Sequence, residues 1–146
     1  MPSITLAQAC TIIDATLAKG RAIDCLPLAA GVLDAGGHLV AYKREDGSSI
    51  MRFDIVFGKA WGALGMGFGS RQIAVRAAAN PVFVGALATA SGGRLVPVPG
   101  GVLIRDGGGE IIGAIGVSGD TSDRDEECAL AGIAAAGLNG DPGAGQ

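Results

Sequence analysis

Acidic residues crowd one short stretch near the end of the chain: Asp120, Asp123, Asp125, Glu126 and Glu127. At the start of a helix such residues cap it and complement its dipole, which accounts for most of them. Glu126 differs. It shares a helical face with Ala129, Leu130 and Ile133, three, four and seven positions on, and that is the face the helix must bury. A carboxylate at the edge of a buried face needs a cation or a ligand, and Asp125 stands beside it as a second acid. The cation of interest is Lys59, flanked by Val56, Phe57, Ala60 and Trp61. Its ammonium either snorkels to water or meets an anion. If Lys59 and Glu126 approach one another, they make a plain ion pair or frame a site for a carboxylate, and both readings stay open. With Lys59 and Arg44 binding a carboxylate substrate and Glu126 or Asp125 moving a proton, the set would serve an isomerase or lyase, since ionisable groups near a buried face often have shifted pKa values.

Other chemistries have less to work with. His38 is the only histidine and falls in a hairpin turn, so the chain lacks the usual histidine base or triad. Cys10, Cys25 and Cys128 form no C-x-x-C pair and have no histidine nearby, which argues against a disulfide framework or a zinc site. They are expected to be reduced, small core residues, and no metal site is expected. Gly65-x-Gly67-x-Gly69 follows a helix and does not fit the dinucleotide fingerprint. The glycine-rich stretch Pro97 to Gly119 is more informative, and we read it as part of a small-ligand site bordered by Pro99, Gly100 and Gly101.

These residues must be held by few elements. Thr5-x-x-Gln8 spells a capping box, and Leu6, Cys10, Ile13 and Leu17 trace an amphipathic helix ending at Lys19-Gly20. Leu28–Asp34 and Leu39–Lys43 flank the turn residues Ala35-Gly36-Gly37-His38, a β-hairpin. Ile50–Met66 reads as a buried helix. Ser70 is placed to cap a second one through Ala79, stopped by Asn80-Pro81, while 82–93 is apolar without a clear period. Val102–Ile104, the turn Asp106-Gly107-Gly108-Gly109 and Ile111–Val117 echo the first hairpin, and a helix from about Ser122 to Gly137 follows. Gly113 and Gly116 inside the last strand demand something packed closely on the backbone. With Arg94–Val98 as the fifth strand, the layout is α+β: an antiparallel sheet of about five strands flanked by helices, in one domain over residues 1–138 with a flexible tail at 139–146.

Composition bounds the partners. Of 146 residues, 49% are hydrophobic and 17% charged, which excludes a disordered chain and points to surface covered in an oligomer. A net charge of -3 without a basic stripe argues against nucleic acid. No signal peptide and no long apolar span are present, so a cytoplasmic protein without a membrane partner is expected.

Pro97-Val98-Pro99-Gly100-Gly101-Val102, then Gly113-Ala114-Ile115-Gly116-Val117-Ser118-Gly119, then Asp125-Glu126, together resemble the GlcG/HbpS-like family. Asp34-x-Gly36-Gly37-His38-Leu39-Val40-Ala41, Arg44-x-Asp46-Gly47 and Gly58-Lys59-Ala60 agree, extending the resemblance from Thr5 to about Leu138. The resemblance implies a profilin-like fold that assembles as dimers or larger rings. Members include haem-binding and haem-degrading proteins, a protein of glycolate-utilisation operons, and a domain fused to corrinoid adenosyltransferases. This chain departs from the secreted haem binders in having no export signal and no well-placed histidine as an axial ligand. Met51, Met66, Tyr42 and Thr121 are side chains able to approach an iron, and none is singled out. The expectation is a cytoplasmic homo-oligomer that binds haem or a related small ligand, with Arg44, Lys59, Pro99, Gly100, Gly101, Asp125 and Glu126 as the ligand-binding set. The carboxylate-directed enzyme using Lys59 and Glu126, and a structural or regulatory subunit, are its alternatives.

Overall fold

The computed structural model describes residues 2–144. Its first helix, α1 (Leu6–Ala22), opens on the capping box: the Thr5 hydroxyl accepts from the Gln8 N–H, and the Gln8 side chain accepts from the Thr5 N–H. The helix does not end at Gly20. That glycine is buried within it, and a side chain there would strike Leu28. The buried face is also rotated from the expected one, onto Ala9, Ile12, Ile13 and Thr16, and leaves Leu6 exposed.

Two hairpins follow the expected pattern, β1 (Ala29–Asp34) with β2 (Leu39–Arg44), and β3 (Gly101–Arg105) with β4 (Ile111–Ser118). The sequence echo between them is a bonding echo. Asp34 accepts from the N–H groups of Gly36 and His38, and Asp106 from those of Gly108 and Glu110, the same side-chain-stabilised turn twice. All pairings in the sheet are antiparallel, in the order β2-β1-β4-β3-β5.

The fifth strand corrects the sequence reading. It is β5 (Asn139–Asp141), drawn from the stretch expected to fray, and it pairs with β3. Residues 94–98 instead lie along the next helix, with the Val96 N–H donating to the Gly58 carbonyl at 3.2 Å. That helix is α2 (Arg52–Met66), followed by α3 (Ser70–Ala79), α4 (Pro81–Ala90) and, after β4, α5 (Ser122–Ala135). Ser70 does not cap α3, because Gly69 holds the cap position and the Ser70 hydroxyl accepts from the Gly101 N–H at 2.7 Å. The aperiodic 82–93 stretch is mostly α4, started by Pro81 and capped by Asn80.

Strand alternation sorts the core into two layers. Ala30, Val32, Val102, Ile104, Ile115 and Val117 pack with Ile12, Ile13, Ala129 and Ile133 of α1 and α5. Leu33, Leu103 and Ala114 face Ala60 and Ala63 of α2 on the other side. There Gly31, Gly116 and Gly101 stand in register on β1, β4 and β3 and form a stripe without side chains. A Cβ on Gly116 would collide with the Val56 carbonyl, and one on Gly101 with that of Lys59. The glycines in the strands are what let α2 lie with its backbone against the sheet. That close seating carries Lys59 to the sheet end.

Candidate functional site

Lys59 is almost sealed from solvent. Its Nζ donates to the Val117 carbonyl at 2.8 Å and to Asp125 Oδ2 at 3.1 Å, and both side chains are 2% exposed. The other carboxylate oxygen of Asp125 accepts the Asp120 N–H at 3.0 Å. Gly100 closes the site with φ 116°, and a Cβ on it would lie 2.8 Å from Nζ. Burial pushes the Lys59 pKa down, Asp125 opposes that by pairing, and the nearby Arg52 charge adds to the fall. Burial likewise pushes the Asp125 carboxyl up against the pull of Lys59. Both groups are thus drawn towards the neutral pair, as expected where desolvation outweighs attraction.

Glu126 points elsewhere. Its Oε1 and Oε2 accept from Arg71 Nε at 3.1 and 3.0 Å, and the same guanidinium reaches Asp123. These hydrogen bonds raise the Arg71 pKa, Glu126 contributing most. Lys59 and Glu126 therefore sit in two separate ion pairs, each completed by a residue other than the one the sequence suggested. Arg71 escaped notice because only the tertiary fold brings the first turn of α3 to that of α5. Gly100 and Gly101, both buried, lie against Lys59, and Pro99 before them is partly buried. Arg44 is exposed at the end of β2 and lines a depression with Asp46 and Ser48.

The remaining reactive residues fall as follows. His38 Nδ1 lies 3.2 Å from Asp34 Oδ1, with the imidazole 81% exposed. All three cysteines are free, Cys25 and Cys128 buried with their sulfurs 4.0 Å apart. Burial, with Cys25 alongside, pushes the Cys128 thiol up to about 12.

A cleft that sequence reasoning missed opens between α2 and α4. Trp61, Gly65 and Met66 face Leu87, Ala90 and Leu95 across about 250 Å³. Trp61 and Gly65 also border a smaller depression of about 150 Å³ against Gly36 and Gly37. Arg94 stacks over the indole, 4.1 Å from a ring centroid. The apolar wall carries one soft donor, the Met66 thioether, and Arg94 stacked on Trp61 puts a cation beside it. Among the described residues no helix is long and apolar enough to cross a membrane.

An antiparallel sheet with α1 and α5 on one face and α2 on the other defines a profilin-like α+β domain. The chain belongs to the HbpS-like family of haem-degrading proteins, whose model matches residues 4–134. It is 32% identical over 123 residues, 84% of each chain, to an uncharacterized 15.0 kDa protein from the dhaT-dhaS intergenic region of Citrobacter freundii. The crystal structure of Klebsiella pneumoniae protein ORFY is similar with a TM-score of 0.83 at 28% identity, covering 94% of this chain and 92% of that one. At the level of fold, the PduOC:heme complex gives a TM-score of 0.84 at 20% identity, covering 94% and 97%.

Proposed function

We propose that this protein is a cytoplasmic small-ligand-binding protein whose ligand is haem or a related molecule, held in the Trp61 cleft. The family match over residues 4–134 carries the reading, and a haem complex of the same fold supports it. At about 250 Å³ the cleft would take one edge of the macrocycle and leave the rest outside it: the Trp61 ring and the aliphatic wall suit a macrocycle face, Met66 offers a thioether to iron, and Arg94, stacked on Trp61, suits a propionate. Bound haem would supply redox and oxygen chemistry, while the chain binds and orients it. Homo-oligomerisation belongs to the same reading. Only Val84 of α4 is buried, and Val82 and Phe83 are 83% and 52% exposed, an apolar face suited to cover by a second copy.

Titration with hemin tests this. A saturable Soret change at micromolar hemin, weakened in Trp61→Ala and altered in band position in Met66→Ala, is expected. Absence of saturation overturns the reading. The isomerase or lyase alternative, with Lys59 and Glu126 acting on a carboxylate, finds less support, since the two groups serve different partners and Lys59 lies under Gly100.

A further inference from the structure

At the opposite end of α2 from the Trp61 cleft, a depression of about 160 Å³ lies between Leu26, Pro27, Gly119 and the first residues leading into the helix. Two polar side chains in it are under-used. The Arg52 guanidinium donates to Ser118 Oγ at 2.9 Å and, among the described residues, meets no carboxylate within ion-pair distance. One bond leaves most of its five N–H donors free. Ser48 Oγ is buried and, alone among the buried side-chain polar atoms of the described residues, has no hydrogen-bond partner. Because the hydroxyl is closed to solvent, an acceptor in the depression would meet it only after a rotation about χ1, which would also end the cost of leaving it unbonded.

Of the acids around the depression, Asp120 accepts the Leu26 and Thr121 N–H groups, and Asp54 in the first turn of the helix is exposed. Glu45 is already held by Arg21 at 3.0 Å and by the Leu28 N–H at 2.8 Å. Asp46 lines the adjoining depression together with Arg44. The helix begins here without a side-chain cap, so its dipole adds to the field of Arg52. The space holds about five waters at ~30 Å³ each, which suits an anion the size of phosphate or malonate.

We propose that this depression is an oxyanion site, in which Arg52 and Ser48 donate to the carboxylate or phosphate group of a small molecule. It lies away from the Trp61 cleft, so the hemin and anion experiments succeed or fail separately.

The test is a titration of the intact, isotope-labelled protein with malonate and, separately, inorganic phosphate, followed by amide NMR against chloride at matched ionic strength. Saturable shifts are expected at the amides of Ser48, Ser49, Arg52 and Gly119. Arg52→Gln is expected to weaken binding at least about tenfold, and Ser48→Ala several-fold, in otherwise native spectra. A response to malonate alone assigns a carboxylate, to phosphate alone a phosphate, and to both an oxyanion without discrimination. No saturable shift with either probe, shifts matched by chloride, or shifts undiminished in Ser48→Ala and Arg52→Gln overturn the proposal.

Discussion

Lys59 Nζ meets Asp125 Oδ2 at 3.1 Å across the end of the sheet, joining α2 on one face to α5 on the other. Sixty-six residues separate the two in sequence, and each side chain is 2% exposed. The contact ties the two layers together at the point where β4 hands the chain to α5.

Removing one member of that pair leaves an uncompensated buried charge. Asp125→Ala is therefore expected to cost about 3–5 kcal/mol in urea unfolding. The double variant Lys59→Met, Asp125→Leu is expected to recover most of that, less the contribution of the Asp120 N–H that Asp125 accepts. A single-variant loss under about 1 kcal/mol would show that Lys59 finds water or another anion instead.

Asp120 supplies a pH signature. The N–H groups of Leu26 and Thr121 donate to its carboxylate, and with Arg124 they hold its pKa below the ordinary value. A depressed folded value stabilises the native state above the unfolded pKa of about 3.9 and loses that contribution as pH falls through the folded value. The stability gap between wild type and Asp120→Asn should stay level from about pH 8 to 5 and narrow below about pH 4. Urea unfolding at a series of pH values measures it, and a gap that widens in acid contradicts the assignment.

The glycine stripe predicts a contrast between two equally conservative substitutions. Gly116→Ala puts a methyl group into the Val56 carbonyl and should cost about 3 kcal/mol or prevent folding. Gly107→Ala, with nothing within 4 Å of the new methyl, should stay within about 0.5 kcal/mol. Thermal unfolding of the pair decides whether close packing or chain flexibility explains glycine in β4.

The thiols should separate by burial. At pH 8 a chromogenic disulfide reagent is expected to titrate Cys10 first, because it is partly exposed, and to reach Cys25 and Cys128 only on unfolding. The Cys128 pKa, pushed up to about 12, leaves little thiolate at that pH. Three fast thiols in the native protein would refute the buried placement.

Local signals were legible where a short stretch decides its own structure. The capping box at Thr5 and the two aspartate-centred turns bond within four residues of themselves. Signals failed where a distant element chose the outcome. Gly20 reads as a helix stop, but Leu28 needs the space over it. Ser70 reads as a cap, but the Gly101 N–H claims its hydroxyl. Asn139–Asp141 reads as a tail, but the open edge of β3 pairs with it. In the candidate site, the apolar neighbours of Lys59 and Glu126 marked both charges as needing water, a partner or a ligand, and left the choice open. The structure supplied the partners, Asp125 and Arg71.

By itself the amino-acid sequence determined the α+β class, the two matched hairpins, the acidic start of the last helix and the demand for close packing at Gly113 and Gly116, because periodicity, turn chemistry and missing side chains act over a few residues. Only the tertiary structure decided that Lys59 pairs with Asp125 and Glu126 with Arg71, that an apolar cleft forms around Trp61, and that Arg52 and Ser48 share a depression. Those outcomes depend on how α2 sits on a sheet drawn from both halves of the chain. The seat of α2 is set by three glycines that come into register only when β1, β3 and β4 are side by side.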